Sequence, residues 1–250
     1  MRPNRLREMW KAGKRANNCW LSVPSAFSAE ILAHQGWDSL TIDMQHAPID
    51  EATAYAMLVA ISTTDAVPIV RVASNEPGAI LRVLDWGAYG VMCPTIESVE
   101  ACQRFVSAAR YAPLGCRSIS PGRASLYAGP DYVAKANETV LVIAQIETKL
   151  GLENVDAIAR TPGLDMLFVG PTDLGHSLGR EGKPDQTDPV VVAAIDKILE
   201  AAHAAGIHAG IWCASADYGL QMMQKGFDLT TVAYDRGLLG AGAALRAKFA

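Results

Sequence analysis

Short apolar runs recur along the chain, each followed by a segment with helical spacing: Cys19–Val23, Leu40–Asp43, Pro68–Val72, Gly90–Pro94, Val140–Ile146, Met166–Gly170, His208–Cys213 and Leu229–Ala233. Strands that are apolar at nearly every position are covered on both faces, which is what a parallel sheet with crossover helices imposes. Eight such strand-then-helix units predict an α/β protein closed into a (β/α)8 TIM barrel, a single domain over residues 1–250.

The punctuation agrees with the pattern. Ser25 precedes Ala26–Gln35 and Gly36 follows it, and Pro77 lies in the first turn of Glu76–Trp86 with Gly87 after it. Gly206 and Gly226 follow Pro189–Ala205 and Ala216–Lys225. Serine and proline favour helix starts and glycine favours the residue past the end. Two connections are long, Tyr111–Gly129 and Thr172–Thr187, and long loops in compact domains are usually functional. The second follows the sixth strand directly, at the face where barrel enzymes build their sites. No internal repeat or low-complexity segment is evident.

Composition narrows the function. With 250 residues, 50% hydrophobic and 19% charged, the chain can bury one sizeable core. A formal net charge of -4 with no Lys/Arg cluster argues against nucleic acid. Met1–Arg15 is basic and amphipathic but leads into no signal-type apolar segment, and no run is long enough to span a membrane. The expectation is a cytoplasmic protein. Its cysteines, Cys19, Cys93, Cys102, Cys116 and Cys213, contain no C-x-x-C pair and read as reduced thiols.

Polar residues at the C-terminal ends of the strands are the candidates for chemistry. Strand two ends in Asp43-Met44-Gln45-His46, strand three in Arg71, strand five in Gln145-Ile146-Glu147 and strand six in Gly170-Pro171-Thr172-Asp173. Side chains alternate along a strand, so Gln145 and Glu147 share a face. Glu147 and Asp173 on adjacent strand ends offer a hard divalent cation two carboxylate oxygens; equally, acids at such places cap helices. The turn opening at Gly170-Pro171-Thr172 can present backbone N–H groups to a substrate carboxylate. Arg71 is either the partner of a strand-end acid or a fixed charge for an oxygen that becomes negative. His46, held in a loop by Ala47-Pro48, is a candidate general base, with Asp85 as a possible orienting carboxylate. Trp212, before Cys213-Ala214-Ser215, is placed to shape the pocket. Of the remaining histidines, His34, His203 and His208 read as structural, and His176 as an open candidate for substrate contact.

At these residues the sequence resembles the HpcH/HpaI family of class II pyruvate aldolases, typified by 4-hydroxy-2-oxoheptanedioate aldolase. The stretches that carry the resemblance are Ile42–Pro48, Val70-Arg71-Val72, Tyr111–Arg117, Ala144–Thr148 and Phe168–Leu174, in that order. The resemblance implies a barrel of the phosphoenolpyruvate/pyruvate type and a divalent metal, Mg²⁺, Mn²⁺ or Co²⁺, on Glu147 and Asp173. It implies that Arg71 and Gln145 hold the ketone or enolate end, that the backbone of Gly170–Asp173 takes the carboxylate, and that His46 works with Asp85. The implied activity is enolate formation from pyruvate or a related 2-oxo acid such as hydroxypyruvate, reversible addition to an aldehyde, and oxaloacetate decarboxylation through the same enolate. The implied assembly is a homohexamer, a trimer of dimers with the last helix, Gly237–Phe249, exchanged between partners.

Departures from the family pattern are Gln45, where the best-known members have Glu, and a shorter loop after Arg117. Acceptor choice is expected to depend on the loop Cys116–Gly129, on Trp212 and on a neighbouring subunit. The alternatives are a citrate-lyase-like enzyme acting on a coenzyme A thioester, for whose phosphates no basic cluster stands out, and a barrel that binds a 2-oxo acid without turning it over. Schiff-base chemistry needs a strand lysine, whereas Lys135, Lys149, Lys183, Lys197 and Lys225 all read as helix or loop residues.

Overall fold

The computed structural model describes residues 1–249. Its elements in chain order are α1 (Arg5–Lys11), β1 (Ala16–Leu21), α2 (Ala26–Ala33), β2 (Ser39–Asp43), α3 (Glu51–Ile61), β3 (Val67–Arg71), α4 (Pro77–Asp85), β4 (Gly90–Cys93), α5 (Val99–Ala109), α6 (Arg123–Ala128) and α7 (Tyr132–Thr139). They continue with β5 (Leu141–Ile146), α8 (Lys149–Glu153), α9 (Val155–Ala159), β6 (Met166–Val169), α10 (Pro171–Ser177), α11 (Pro189–Ala204), β7 (His208–Trp212), α12 (Ala216–Lys225), β8 (Leu229–Tyr234), α13 (Asp235–Gly240) and α14 (Gly242–Arg246). The eight strands pair in parallel and in sequence order, and β8 closes on β1. The predicted barrel is therefore present. Ser25, Ser98 and Ser215 cap α2, α5 and α12 by accepting the N–H of Ser28, Ala101 and Tyr218.

The first strand begins three residues before its apolar run, because two asparagines belong to it. Asn18 is fully buried inside the barrel, where its amide donates to Thr231 Oγ1 (2.9 Å) and accepts from Ser39 Oγ and Thr41 Oγ1 (both 3.0 Å). A buried amide is tolerable when its hydrogen bonds are made, and here they tie β8, β1 and β2 together.

The N-terminal end of the barrel is closed by α1, with Leu6 and Trp10 buried beneath it. A short cue, Gly-apolar-Asp, recurs there: Gly36-Trp37-Asp38, Gly163-Leu164-Asp165 and Gly226-Phe227-Asp228 precede β2, β6 and β8. Each glycine ends a helix–strand turn at positive φ. Each aspartate accepts an N–H near the start of the preceding strand, from Asn17, Val142 and Ala209 respectively (3.0, 2.7 and 3.0 Å). The chain thus carries a small local repeat that its overall pattern does not advertise.

Two expectations are corrected. The connection Tyr111–Gly129 leaves the lower end of α5 and leads through α6 and α7 to the start of β5, so it lies at the closed end. It contacts Arg2 and Trp86 there, and within one chain it does not shape the mouth. The segment Gly237–Phe249 is not one helix but α13, α14 and a terminal 3-10 turn. Among the described residues no helix is long and apolar enough to cross a membrane.

Candidate active site

The C-terminal ends of the strands surround an open cavity of about 430 Å³. Of the expected site residues, His46, Arg71, Gln145, Gly170, Pro171, Thr172, Asp173 and Trp212 all line it. Asp85 does not. It ends α4, which runs from the mouth back to the closed end, and there its carboxylate takes Arg117 Nη2 (2.7 Å). Burial pushes the Asp85 carboxyl up, against the pull of Arg117. Pairing of Asp85 with His46 is therefore not made within a chain. His176 lies on α10 outside the cavity wall.

Arg71 owes its position to the register that sets Asp43 beside it on the neighbouring strand. Asp43 binds the guanidinium with both oxygens, Oδ1 to Nε at 2.9 Å and Oδ2 to Nη2 at 2.7 Å. Asp43 Oδ1 also accepts the N–H groups of Gln45 and His46 (3.0 and 3.4 Å), and Oδ2 accepts Trp20 Nε1 (3.3 Å). Burial works against charge on Asp43, but Arg71 and these N–H groups outweigh it and hold the carboxyl below its ordinary range. One carboxylate thus fixes both the arginine and the loop that carries His46. The free edge of Arg71 points Nη1 at Gln145 Oε1 (3.4 Å), and its plane lies over Trp20, 4.7 Å from the ring centre.

Glu147 is almost fully buried at the end of β5. Its Oε1 accepts both the N–H and the hydroxyl of Thr95 (2.9 and 3.0 Å), and its Oε2 accepts Gln145 Nε2. Thr95 makes this double contact at φ 53°, an unfavourable backbone for a β-branched residue. A Cβ on Gly170 would stand 2.5 Å from Glu147 Oε2, so only glycine lets β6 pass this close to the carboxylate. Burial raises the pKa of Glu147 above the ordinary range; Thr95 opposes this, and the charge of Asp173 adds to it. A buried acid whose charge the neighbouring Asp173 disfavours, together with Asp173 itself, offers a donor set of hard oxygens suited to a small divalent cation. Among the described residues no cluster of three or more His, Cys, Asp or Glu side chains competes for such an ion.

The site also contains residues that the sequence pattern left unassigned. Asp43 was visible as a strand-end acid, and the expected neighbour of Arg71 was its only signal. Thr95 has none, since its role depends on an unusual φ. Trp20, Ser22, Phe168, Tyr234 and Arg236 complete the wall. The Trp20 and Phe168 rings stack with centroids 6.0 Å apart as its floor, and Trp212 and Tyr234 meet at 5.6 Å on the side.

Fold and site together define a (β/α)8 barrel with a polar, arginine-bearing cavity at its mouth. The family model for HpcH/HpaI aldolase/citrate lyase matches residues 17–240, and the chain belongs to that family. It is 42% identical over 240 residues, 96% of each chain, to the hydroxypyruvate/pyruvate aldolase of Rhizorhabdus wittichii. It is 36% identical over 242 residues, 96% of this chain and 94% of the other, to the 5-keto-4-deoxy-D-glucarate aldolase of Salmonella arizonae. A crystal structure of a family member from Burkholderia cenocepacia superposes with a TM-score of 0.90 at 36% identity, covering 99% of this chain and 100% of that one. Relatives of this kind support an aldolase of the pyruvate type.

Proposed function

We propose that this chain is a divalent-metal-dependent lyase that forms the enolate of pyruvate, or of a close analogue such as hydroxypyruvate, and adds it reversibly to an aldehyde. The observation that carries the reading is the hydrogen-bonded run from Arg71 through Gln145 to buried Glu147, in which Arg71 and Gln145 line one cavity together with Asp173. The hydroxypyruvate/pyruvate aldolase activity of the Rhizorhabdus wittichii relative supports the same donor. Glu147 and Asp173 would hold Mg²⁺, Mn²⁺ or Co²⁺, which when bound supplies positive charge next to the ketone oxygen.

The chain's own groups account for the rest. In cleavage, His46 accepts the proton of the hydroxyl on C4 of the aldol; the O–H electron pair becomes the aldehyde C=O and the C3–C4 bond breaks. Its electron pair forms the C2=C3 double bond of the enolate, and the negative charge arrives on the C2 oxygen, beside Arg71 Nη1. Asp43 has already fixed the orientation of that guanidinium, so little reorganisation is needed. Gln145 aligns Arg71 with Glu147, and the backbone from Gly170 to Asp173 receives the donor carboxylate. Protonation at C3 then releases pyruvate, and addition reverses these steps. Oxaloacetate decarboxylation would reach the same enolate without His46.

The same reading takes the protein as one barrel domain, working in the cytoplasm as a homohexamer in which the C-terminal segment is exchanged. Chelation tests the proposal: EDTA should abolish cleavage and addition, and Mn²⁺, Mg²⁺ or Co²⁺ should restore them. Undiminished turnover by metal-stripped protein would overturn it.

A further inference from the structure

Two arginines face the cavity, and they are placed differently. Arg71 is buried and doubly bonded to Asp43. Arg236 is exposed at the rim, and no carboxylate pairs with it among the described residues. Its backbone is nevertheless fixed. Buried Asp235 accepts the N–H of Arg236 on one oxygen (2.7 Å) and the N–H groups of Ser22 and Val23 on the other (both 2.7 Å), clamping the start of α13 to the end of β1. A Cβ on Gly237 would fall 2.6 Å from Tyr234 Cζ, so glycine there lets the Tyr234 ring fold against this turn and meet Trp212.

Topology separates Arg236 from the donor groups. Arg71, Gln145, Glu147 and Asp173 occupy the arc from β3 to the end of β6, whereas Trp212, Tyr234, Arg236 and Ser22 occupy the arc from β7 through β8 to β1. Charge balance points the same way. Arg71 cancels Asp43, and a divalent ion would cancel Glu147 and Asp173, leaving Arg236 as the cation without a counter-charge.

We propose that Arg236, on the same cavity wall as Ser22, is the acceptor-side anion site: it selects aldehydes that carry a carboxylate or phosphate and turns that group away from the reacting carbonyl. This rests on the aldolase reading above. A guanidinium that meets such a group at a half-open rim contributes about 10–100-fold in affinity.

The test compares matched acceptors with pyruvate as donor: succinic semialdehyde against butyraldehyde for the carboxylate, and glyceraldehyde 3-phosphate against glyceraldehyde for the phosphate. The readout is the ratio of kcat/KM for the charged acceptor to that for the neutral one, from which any general loss cancels. Wild-type protein should favour the charged member of at least one pair. Arg236→Ala should lower that ratio about 10–100-fold, mainly through KM, and Arg236→Lys should restore part of it. The pair that responds tells whether carboxylate or phosphate is the preferred group. A ratio unchanged in Arg236→Ala overturns this inference alone. Absence of addition to all four aldehydes by the wild type overturns the aldolase reading with it.

Discussion

At the closed end of the barrel, carboxylates are matched by donors. Asp165 binds Arg7 and Arg110 and the N–H of Val142, and Asp38 binds Arg5 and the N–H of Asn17. At the open end Glu147 is buried next to a second acid, its pKa raised, with Thr95 held at positive φ to support it. The first arrangement makes charge serve the fold. The second keeps charge that the fold alone would do better without, and such local conflict is expected where a site is maintained for chemistry. Mutations at the two ends should therefore separate stability from activity.

Among changes that leave the metal ligands intact, the largest effect is expected at His46. A positioned general base contributes roughly 10²–10⁴-fold, so His46→Ala should lose that much in aldol cleavage while keeping its fold and metal content. Oxaloacetate decarboxylation, which needs no proton from a hydroxyl, should suffer less. Equal loss in both reactions would count against the role.

Asp165→Asn should do the reverse. It leaves Arg110, nearly fully buried, without its charge partner, and breaking a buried pair from one side costs about 3–5 kcal/mol. Denaturant unfolding should show that loss while the turnover of the remaining folded enzyme stays near wild type.

Glu147→Gln sharpens the contrast by sign. An acid whose folded pKa is raised holds a proton more readily folded than unfolded, so its ionisation above the unfolded value costs stability. Metal-free Glu147→Gln should melt higher than metal-free wild type, by about 2–4 °C for a gain near 1 kcal/mol in a chain of this size. The gain should shrink as the pH falls and the wild-type carboxyl protonates. A lower melting temperature at neutral pH would remove the claim of conflict. Asp43 and Asp228, whose carboxyls are held low, act oppositely: their stabilisation is complete above about pH 3.9 and disappears as the pH falls through their folded values.

The smallest effect is expected at Trp212, half-buried against Tyr234. Trp212→Ala should shift acceptor preference by about tenfold or less, as removal of apolar contact in a pocket does. A loss of about 3–5 kcal/mol in stability would instead identify it as a core side chain.

The barrel itself was legible because parallel strands covered on both faces leave unbroken apolar runs, and because glycine and serine mark the helix ends. The first strand was misjudged at its start, since Asn17 and Asn18 carry no strand signal until their partners on β2 and β8 are known. Most of the mouth followed from strand ends alone. Asp85 and the loop after Tyr111 did not, and direction is the reason: a crossover helix that leaves the mouth finishes at the other end, so residues close in sequence to a site strand can lie a barrel's length away. Arg236 escaped because the last apolar run ends at Ala233 while the strand continues to Tyr234.

Exchange of the pyruvate methyl protons with D₂O isolates enolate formation from the choice of acceptor, and so tests the account most directly. Wild-type protein should catalyse exchange only with Mn²⁺, Mg²⁺ or Co²⁺ present, and Glu147→Gln should bind little metal and catalyse none while remaining folded. Exchange by chelated wild type, or by Glu147→Gln at the wild-type rate, would contradict the assignment of Glu147 and Asp173 to a metal that serves the enolate.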